Sequence, residues 1–231
     1  LQPMRARKTP EEISALKKAA TLTMLGIEHL RKLLKEGISE EELAFSFEFF
    51  CRKNGASGLS FDPIIAFGEN SAYPHYQTGK TLLKKGQVVL MDVGCIVDRY
   101  RGDLTRLELC GEVDPRIAHF LQIVKRAERK AIQAIRPGVL VGQLDRIVRE
   151  EFQKEGCEKL FLHSLGHGIG LETHEFPRLR DQGEEAKIAL EPGMVVTIEP
   201  GLYQPGLGGI RYEDMVVVTE QGCMNLSEDA C

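Results

Sequence analysis

"LKEGISEEELAFSFEFFCRKNGA", residues 34–56, returns in altered form as "IRPGVLVGQLDRIVREEFQKEGCE", residues 135–158. Gly37 matches Gly138, Leu43 matches Leu144 and Gly55 matches Gly156, a constant offset of 101. In both copies one glycine opens an amphipathic stretch and another closes it, the punctuation of a helix between two turns. Outward from there, each copy follows a longer helical pattern with a like start: Thr9 then Pro10, and Asp114 then Pro115. An oxygen-bearing cap before proline at the first helical position marks a helix N-terminus. Strand-like sequence comes after each helix pair. The first half has "PIIAF", "QVVLMDVGCIV", the turn "DRYRGD" and "LTRLELCG"; the second has "KLFLHSLGHGIG", "MVVTIEPGLY" and "DMVVVTEQG". The repeat divides the chain at about 10–112 and 113–225 and predicts an α+β fold of two related halves, helices followed by antiparallel strands. At about 100 residues each, the halves are expected to share one core, and no proline- or serine-rich linker parts them.

The 231 residues are 42 % hydrophobic and 28 % charged, with a net charge of −4. That is the balance of a globular chain without the basic footprint of a nucleic-acid binder. No apolar run reaches the roughly 18 residues that a membrane span needs. The opening "LQPMRARKTP" lacks the apolar core of a secretory signal, so the expectation is a cytoplasmic protein with no membrane partner. Its start at Leu1 instead of Met is expected of a fragment, a processed chain or an engineered one. Cys51, Cys95, Cys110, Cys157, Cys223 and Cys231 are scattered without a CxxC pair and read as reduced thiols. Cys95, although close to Asp92, reads as a small buried thiol.

Three of the six histidines fall in "HSLGHGIGLETHE", residues 163–175. His163 and His167 would share a helical face, but Gly166, Gly168 and Gly170 would each cost a helix about 1 kcal/mol relative to alanine. An extended segment also puts 163 and 167 on one side, and its glycines admit a second backbone at close range. His174 has the opposite parity and joins them only if the chain bulges or turns near Leu171. A histidine-rich surface loop is the alternative at this point.

Acidic residues interrupt the apolar strands. Asp92 lies in "VVLMDVG", among strand formers, where an aspartate is disfavoured by strand propensity and burial of an unpaired charge is costly. Across a turn, Asp103 opens the returning strand, so a hairpin can set the two side by side. Glu199 in "MVVTIEP" and Glu213 in "GIRYEDMVVV" repeat the arrangement in the second half. Singly, Asp103 reads as a turn cap, Glu213 as a partner for Arg211 and Glu199 as a sheet-edge residue. Together, four carboxylates with His167 beside them offer enough charge for two divalent cations, and a mostly oxygen donor set suits Mn²⁺ or Co²⁺. Carboxylate-bridged ions imply a bridging water of lowered pKa, hence a hydroxide nucleophile at neutral pH.

The ordered set "MDVG", "GDLTR", "HSLGHGIGLETHE", "TIEPGLY" and "GGIRYEDMVVVTEQG" resembles the pita-bread metallopeptidases, in particular the proline-directed branch of Xaa-Pro aminopeptidase and prolidase. The resemblance runs from about Arg5 to near the end. It implies a pita-bread fold with two pseudo-symmetric halves and helices packed outside a curved, mostly antiparallel sheet, as one catalytic domain over 1–231. It also implies that Asp92, Asp103, His167, Glu199 and Glu213 are the metal ligands, with Asp103 and Glu213 bridging two ions. Mn²⁺ is the first expectation, Co²⁺ or Zn²⁺ the alternatives. Glu199 is then also the proton carrier to the leaving nitrogen. His75, His163 and His174 line the substrate pocket and hydrogen-bond the scissile carbonyl or developing oxyanion, and Arg211 orients ligands. His29 and His119 are left as surface or packing residues.

The expected substrate is a peptide with proline at the second position, and aminopeptidase action is preferred to Xaa-Pro dipeptidase action. Methionine aminopeptidase shares the ligand set and follows them; the 14-residue step from Glu199 to Glu213 and the "DLTR" and "LETHEFP" surroundings favour the proline-directed branch. A metal-free binding module on the same fold is the reading from another class. Longer members of the family carry an N-terminal domain before a segment like "MRARKTPEEI", so this chain is expected to be the catalytic domain alone, with a homodimer as an open outcome.

Overall fold

After a short helix, α1 (Gln2–Ala6), Thr9 starts α2 (Pro10–Leu33). The Thr9 hydroxyl accepts from the Glu12 amide, the Glu12 carboxylate accepts from the Thr9 amide, and Pro10 has no amide hydrogen to satisfy. Ser39 and Glu42 repeat this at α3 (Glu40–Lys53). In the second half Asp114 caps α4 (Pro115–Ala134). At α5 (Val141–Lys154), Leu140 stands where Ser39 stands in α3, and what remains is the return bond from the Leu140 amide to Gln143. Gly37 and Gly138 have φ of +88° and +86°, and Gly55 and Gly156 of +105° and +69°. A left-handed backbone flanks the repeated helix on both sides, which glycine adopts without a Cβ penalty. The structure, a computed structural model, describes residues 2–227.

The first half supplies β1 (Gly58–Leu59), β2 (Ile64–Phe67), β3 (Gln87–Val93), β4 (Cys95–Val97), β5 (Tyr100–Arg101) and β6 (Leu104–Cys110). Strands β2, β3 and β6 form one antiparallel sheet, and β1, β4 and β5 a smaller one. The second half supplies β7 (Gly166–Gly168), β8 (Glu175–Leu179), β9 (Val195–Ile198), β10 (Gly201–Gln204), β11 (Gly208–Arg211), β12 (Asp214–Val218) and β13 (Cys223–Asn225). Its main sheet has the order β13-β12-β9-β7-β8, with β10–β11 a separate hairpin. The main sheets of the two halves meet at a bridge where the Glu213 amide donates to the Thr105 carbonyl at 3.2 Å.

Three strands are shorter than the sequence predicts. "QVVLMDVGCIV" breaks at Gly94, where a Cβ would lie 2.0 Å from the Gly102 carbonyl oxygen. "MVVTIEPGLY" breaks at Glu199–Pro200, because proline cannot donate to a ladder. "KLFLHSLGHGIG" is strand at Gly166–Gly168 alone; the apolar residues that suggested more of it pack elsewhere, Phe161 standing edge-on to Phe152 of α5 at 5.4 Å. What reads as a simple turn between Glu199 and Glu213 is the β10–β11 hairpin.

Side chains of β3 alternate between two clusters, as the period of a strand requires. Val88 and Leu90 pack with α4 and α5, while Val89, Met91 and Val93 pack with α2 and α3. In β12, Val216 and Val218 join the first cluster, Met215 and Val217 the second. The expected shared core is thus two clusters, each built from both halves, with a helix pair closing each. Among the described residues no helix is long and apolar enough to cross a membrane. Cys51, Cys95, Cys110, Cys157 and Cys223 are free thiols, and Cys231 lies outside the described residues.

Candidate metal centre

The strand registers bring the four acids together. Asp92 of β3 pairs with Thr105 of β6, which places Asp103 just before the returning strand. Ile198, the last residue of β9, pairs with Asp214, the first of β12, so Glu199 and Glu213 lie just beyond the same end of this strand pair. The Thr105–Glu213 bridge then joins the acid-bearing ends of both sheets. His167 enters from β7, between β9 and β8, with a register shift after it. A Cβ at Gly166 would lie 2.0 Å from the Thr197 carbonyl oxygen, so glycine lets β7 approach closely enough to present His167.

Ligand atoms of Asp103, His167 and Glu213 all lie within 4.8 Å of one another. His167 Nε2 is 3.7 Å from Asp103 Oδ2 and 3.6 Å from Glu199 Oε1. The other ring nitrogen, Nδ1, donates to the Gly168 carbonyl at 2.9 Å, which leaves Nε2 with its lone pair toward the acids. Burial, then the neighbouring charge of His174, lowers the His167 pKa to about 3 and keeps the ring neutral. Burial first and the other carboxylates second push Asp103 and Glu199 well above the usual range and Glu213 to about 8. Arg211 counters this crowding through a 2.5 Å bond to Asp92 Oδ2, while Asp92 Oδ1 is buried without a partner among the described residues. Buried oxygens in excess of cations, one of them orphaned, beside one neutral imidazole nitrogen, are a donor set that fits divalent metal ions.

Around these side chains lies a cavity of about 700 Å³, and His75, His163, His174 and Arg178 also line it. His174 stands edge-on to His167 with ring centres 4.4 Å apart, so the turn needed to overcome its parity occurs. Its pKa is lowered, chiefly by burial. His163, also in the lining, is held by its own neighbours. Its Nδ1 donates to the Ser164 carbonyl at 2.7 Å and its Nε2 accepts from the Tyr203 hydroxyl at 2.8 Å, so both nitrogens are engaged within the protein. Burial, then the Arg211 charge, lowers its pKa to about 3.

Two further residues complete the network, and the sequence singled out neither. The Tyr203 hydroxyl accepts from Arg211 Nη1 at 2.8 Å, and burial raises its pKa. Thr105 Oγ1 donates to Glu213 Oε2 at 2.8 Å and accepts from Arg211 Nε at 3.2 Å. The pairing of Glu213 with Arg211 is therefore indirect, through Thr105. Tyrosine and threonine are ordinary strand residues, so nothing in the sequence separated them from packing. His29 stacks on Phe50 at 4.7 Å and His119 is exposed near Glu155, both away from the cavity lining. Cys95 is buried against Thr23, a packing thiol as expected.

The sequence profile of Metallopeptidase family M24 matches residues 14–220. The chain is 38 % identical to a Pyrococcus furiosus Xaa-Pro dipeptidase over 228 residues, covering 99 % of this chain and 65 % of that protein. It superposes on an Xaa-Pro dipeptidase from Bacillus anthracis with a TM-score of 0.96 and 37 % identity, covering 99 % of this chain and 63 % of that one. With an X-Pro aminopeptidase from Thermotoga maritima the TM-score is 0.95 and the identity 35 %, over 99 % and 64 % of the two chains. The chain therefore spans less than two thirds of the length of the curated relatives it matches.

Proposed function

The chain belongs to metallopeptidase family M24 and has the pita-bread fold, and on that footing we propose that it hydrolyses the bond between an N-terminal residue and a following proline, acting first on Xaa-Pro dipeptides. The observation that carries this reading is the convergence of Asp92, Asp103, His167, Glu199 and Glu213 from both halves on one cavity wall, with more buried anionic oxygen than protein cations to match. Those five residues would hold two divalent ions, Mn²⁺ before Co²⁺ or Zn²⁺. When bound, such ions polarise a carbonyl and lower the pKa of water.

The chain's own groups do the rest. Glu199 lies 3.6 Å from His167 Nε2, and its carboxylate takes a proton from the attacking water and returns it to the proline nitrogen. His174 and His75 reach the cavity and donate to the scissile oxygen as charge develops there. His163, with both nitrogens engaged, orients Tyr203 and walls the pocket. Arg211 fixes Asp92 and Tyr203, and Thr105 fixes Glu213. Residues 1–231 act as one catalytic domain in this reading.

The motifs alone placed aminopeptidase action ahead of dipeptidase action. The names of the Pyrococcus and Bacillus relatives reverse that order, because the shared motifs carry the ligands while the far end of the pocket decides peptide length. The Thermotoga similarity keeps aminopeptidase action as the second reading. Hydrolysis of Ala-Pro, Ala-Pro-Ala and Met-Ala-Ser with each ion tests all of them. Ala-Pro is expected to be cleaved fastest. A faster Ala-Pro-Ala selects the aminopeptidase, cleavage of Met-Ala-Ser alone selects the methionine branch, and no hydrolysis with any ion rejects the proposal.

A further inference from the structure

Glu40, in the first turn of α3, is 0 % exposed and has no ammonium or guanidinium partner among the described residues. A carboxylate so deeply buried needs compensation. Neutral donors supply it: the Phe67 amide at 2.8 Å, the Asn70 side-chain amide at 2.9 Å, the Tyr76 hydroxyl at 2.9 Å and the Gly79 amide at 3.2 Å. The helix end is docked on the same segment, because the amides of Glu40 and Glu41 donate to the carbonyls of Thr81 and Gly79 at 3.1 and 2.9 Å. Every one of these partners lies in residues 67–81, the stretch that carries His75 into the cavity. Asn70 and Tyr76 also bond each other at 2.8 Å, closing a loop with His75 between them. His75 itself is exposed and makes no side-chain hydrogen bond among the described residues, so its placement depends on the loop.

We propose that Glu40 is a positioning residue for the peptidase reaction: it grips the 67–81 loop on both flanks of His75 and holds that imidazole at the cavity wall. This rests on the reading of His75 as a group that handles substrate. Leucine in place of Glu40 would fill the space but leave the Phe67 and Gly79 amides without acceptors. Glutamine keeps the volume yet must turn an N–H toward one set of donors, so Glu40→Gln breaks half the grip with little change in packing.

The test is a double-mutant cycle on the metal-loaded chain with Ala-Pro, using Glu40→Gln, His75→Ala and the pair. A misplaced catalytic group loses about 10²-fold, and that is the expected fall in kcat/KM for Glu40→Gln, with metal content unchanged. In the His75→Ala background the same change should cost less than about twofold, the limit of ordinary additivity. An equal loss in both backgrounds, or loss of metal in Glu40→Gln, overturns the proposal. Should Glu40→Gln not fold, Tyr76→Phe removes one hydroxyl from the grip and must show the same cancellation in the His75→Ala background. Amide hydrogen exchange reads the loop without turnover: residues 67–81 should exchange about tenfold faster in the variant while β3 and β6 keep their rates. Unchanged exchange in the loop, or faster exchange throughout the sheet, sinks the grip itself. A wild-type chain that cleaves no Xaa-Pro peptide sinks instead the functional reading on which it rests.

Discussion

Asp92 gives one carboxylate oxygen to Arg211 at 2.5 Å and keeps the other buried without a partner among the described residues. Asp103 and Glu213 are more deeply placed, at 4 % and 2 % exposure, and both approach His167. Asp103→Ala or Glu213→Ala is therefore expected to lose metal and hydrolysis together, as measured by metal content and Ala-Pro turnover. His174→Ala should slow turnover by about 10²-fold with metal retained; equal metal loss would contradict its role toward substrate. Tyr203→Phe leaves Arg211 Nη1 and His163 Nε2 unpaired, and turnover should fall about 10–100-fold, the worth of hydrogen bonds to a charged group. Full activity in Tyr203→Phe would reduce the Arg211–Tyr203–His163 chain to packing. At this scale the sequence was legible where a residue type is costly in its surroundings: acids amid strand formers stand out. Tyr203, Thr105 and Glu40 were not legible, since each is at home on a strand or in the first turn of a helix.

Strand β7 depends on glycine to lie close against β9. A Cβ on Gly166 would meet the Thr197 carbonyl at 2.0 Å, so Gly166→Ala should cost about 3 kcal/mol through backbone displacement. In a chain of this size that lowers the melting temperature by roughly 6–12 °C. Gly206 at a turn, with open space around it, is the matched control and should move little on a change to asparagine, which tolerates its φ of +77°. Between α4 and β12, Glu128 is raised to about 8, first by burial and then by the charge of Asp214. The folded state thus binds the proton more tightly than the unfolded state. The stability Glu128 contributes is complete below its ordinary value of 4.5 and is lost as pH rises toward about 8. Glu128→Gln keeps the protonated shape, so its melting temperature should gain on the wild type steadily from pH 5 to pH 8; a pH-independent difference would refute the raised pKa of Glu128. Helix caps and the paired glycines were readable at this scale because they act within a few residues. The breaks at Gly94 and Pro200 were less so, since the first reflects the approach of Gly102 from the link between β5 and β6.

Across the whole molecule, the two halves interlock through clusters drawn from both and through the Thr105–Glu213 bridge at the acid-bearing seam. Ions held at that seam, as proposed, would bind the folded chain in preference to the unfolded one. Chelation should lower the stability by about 2.7 kcal/mol relative to free metal at 100 times its dissociation constant, read as a melting shift that Asp103→Ala abolishes. A chelator-insensitive melting temperature would remove the metal reading. By itself the sequence determined the duplication, the helix starts, the left-handed glycines and the residue types of the centre, because these follow from backbone preferences and from the penalty on charge in apolar strands. Only the tertiary structure decided that Asp92 meets Arg211, 119 positions away, that His163 is satisfied by Tyr203, and that Asp92 Oδ1 is left without a partner among the described residues. Such contacts depend on strand register and on the meeting of two sheets, and a difference of one residue in register would turn each side chain to the opposite face.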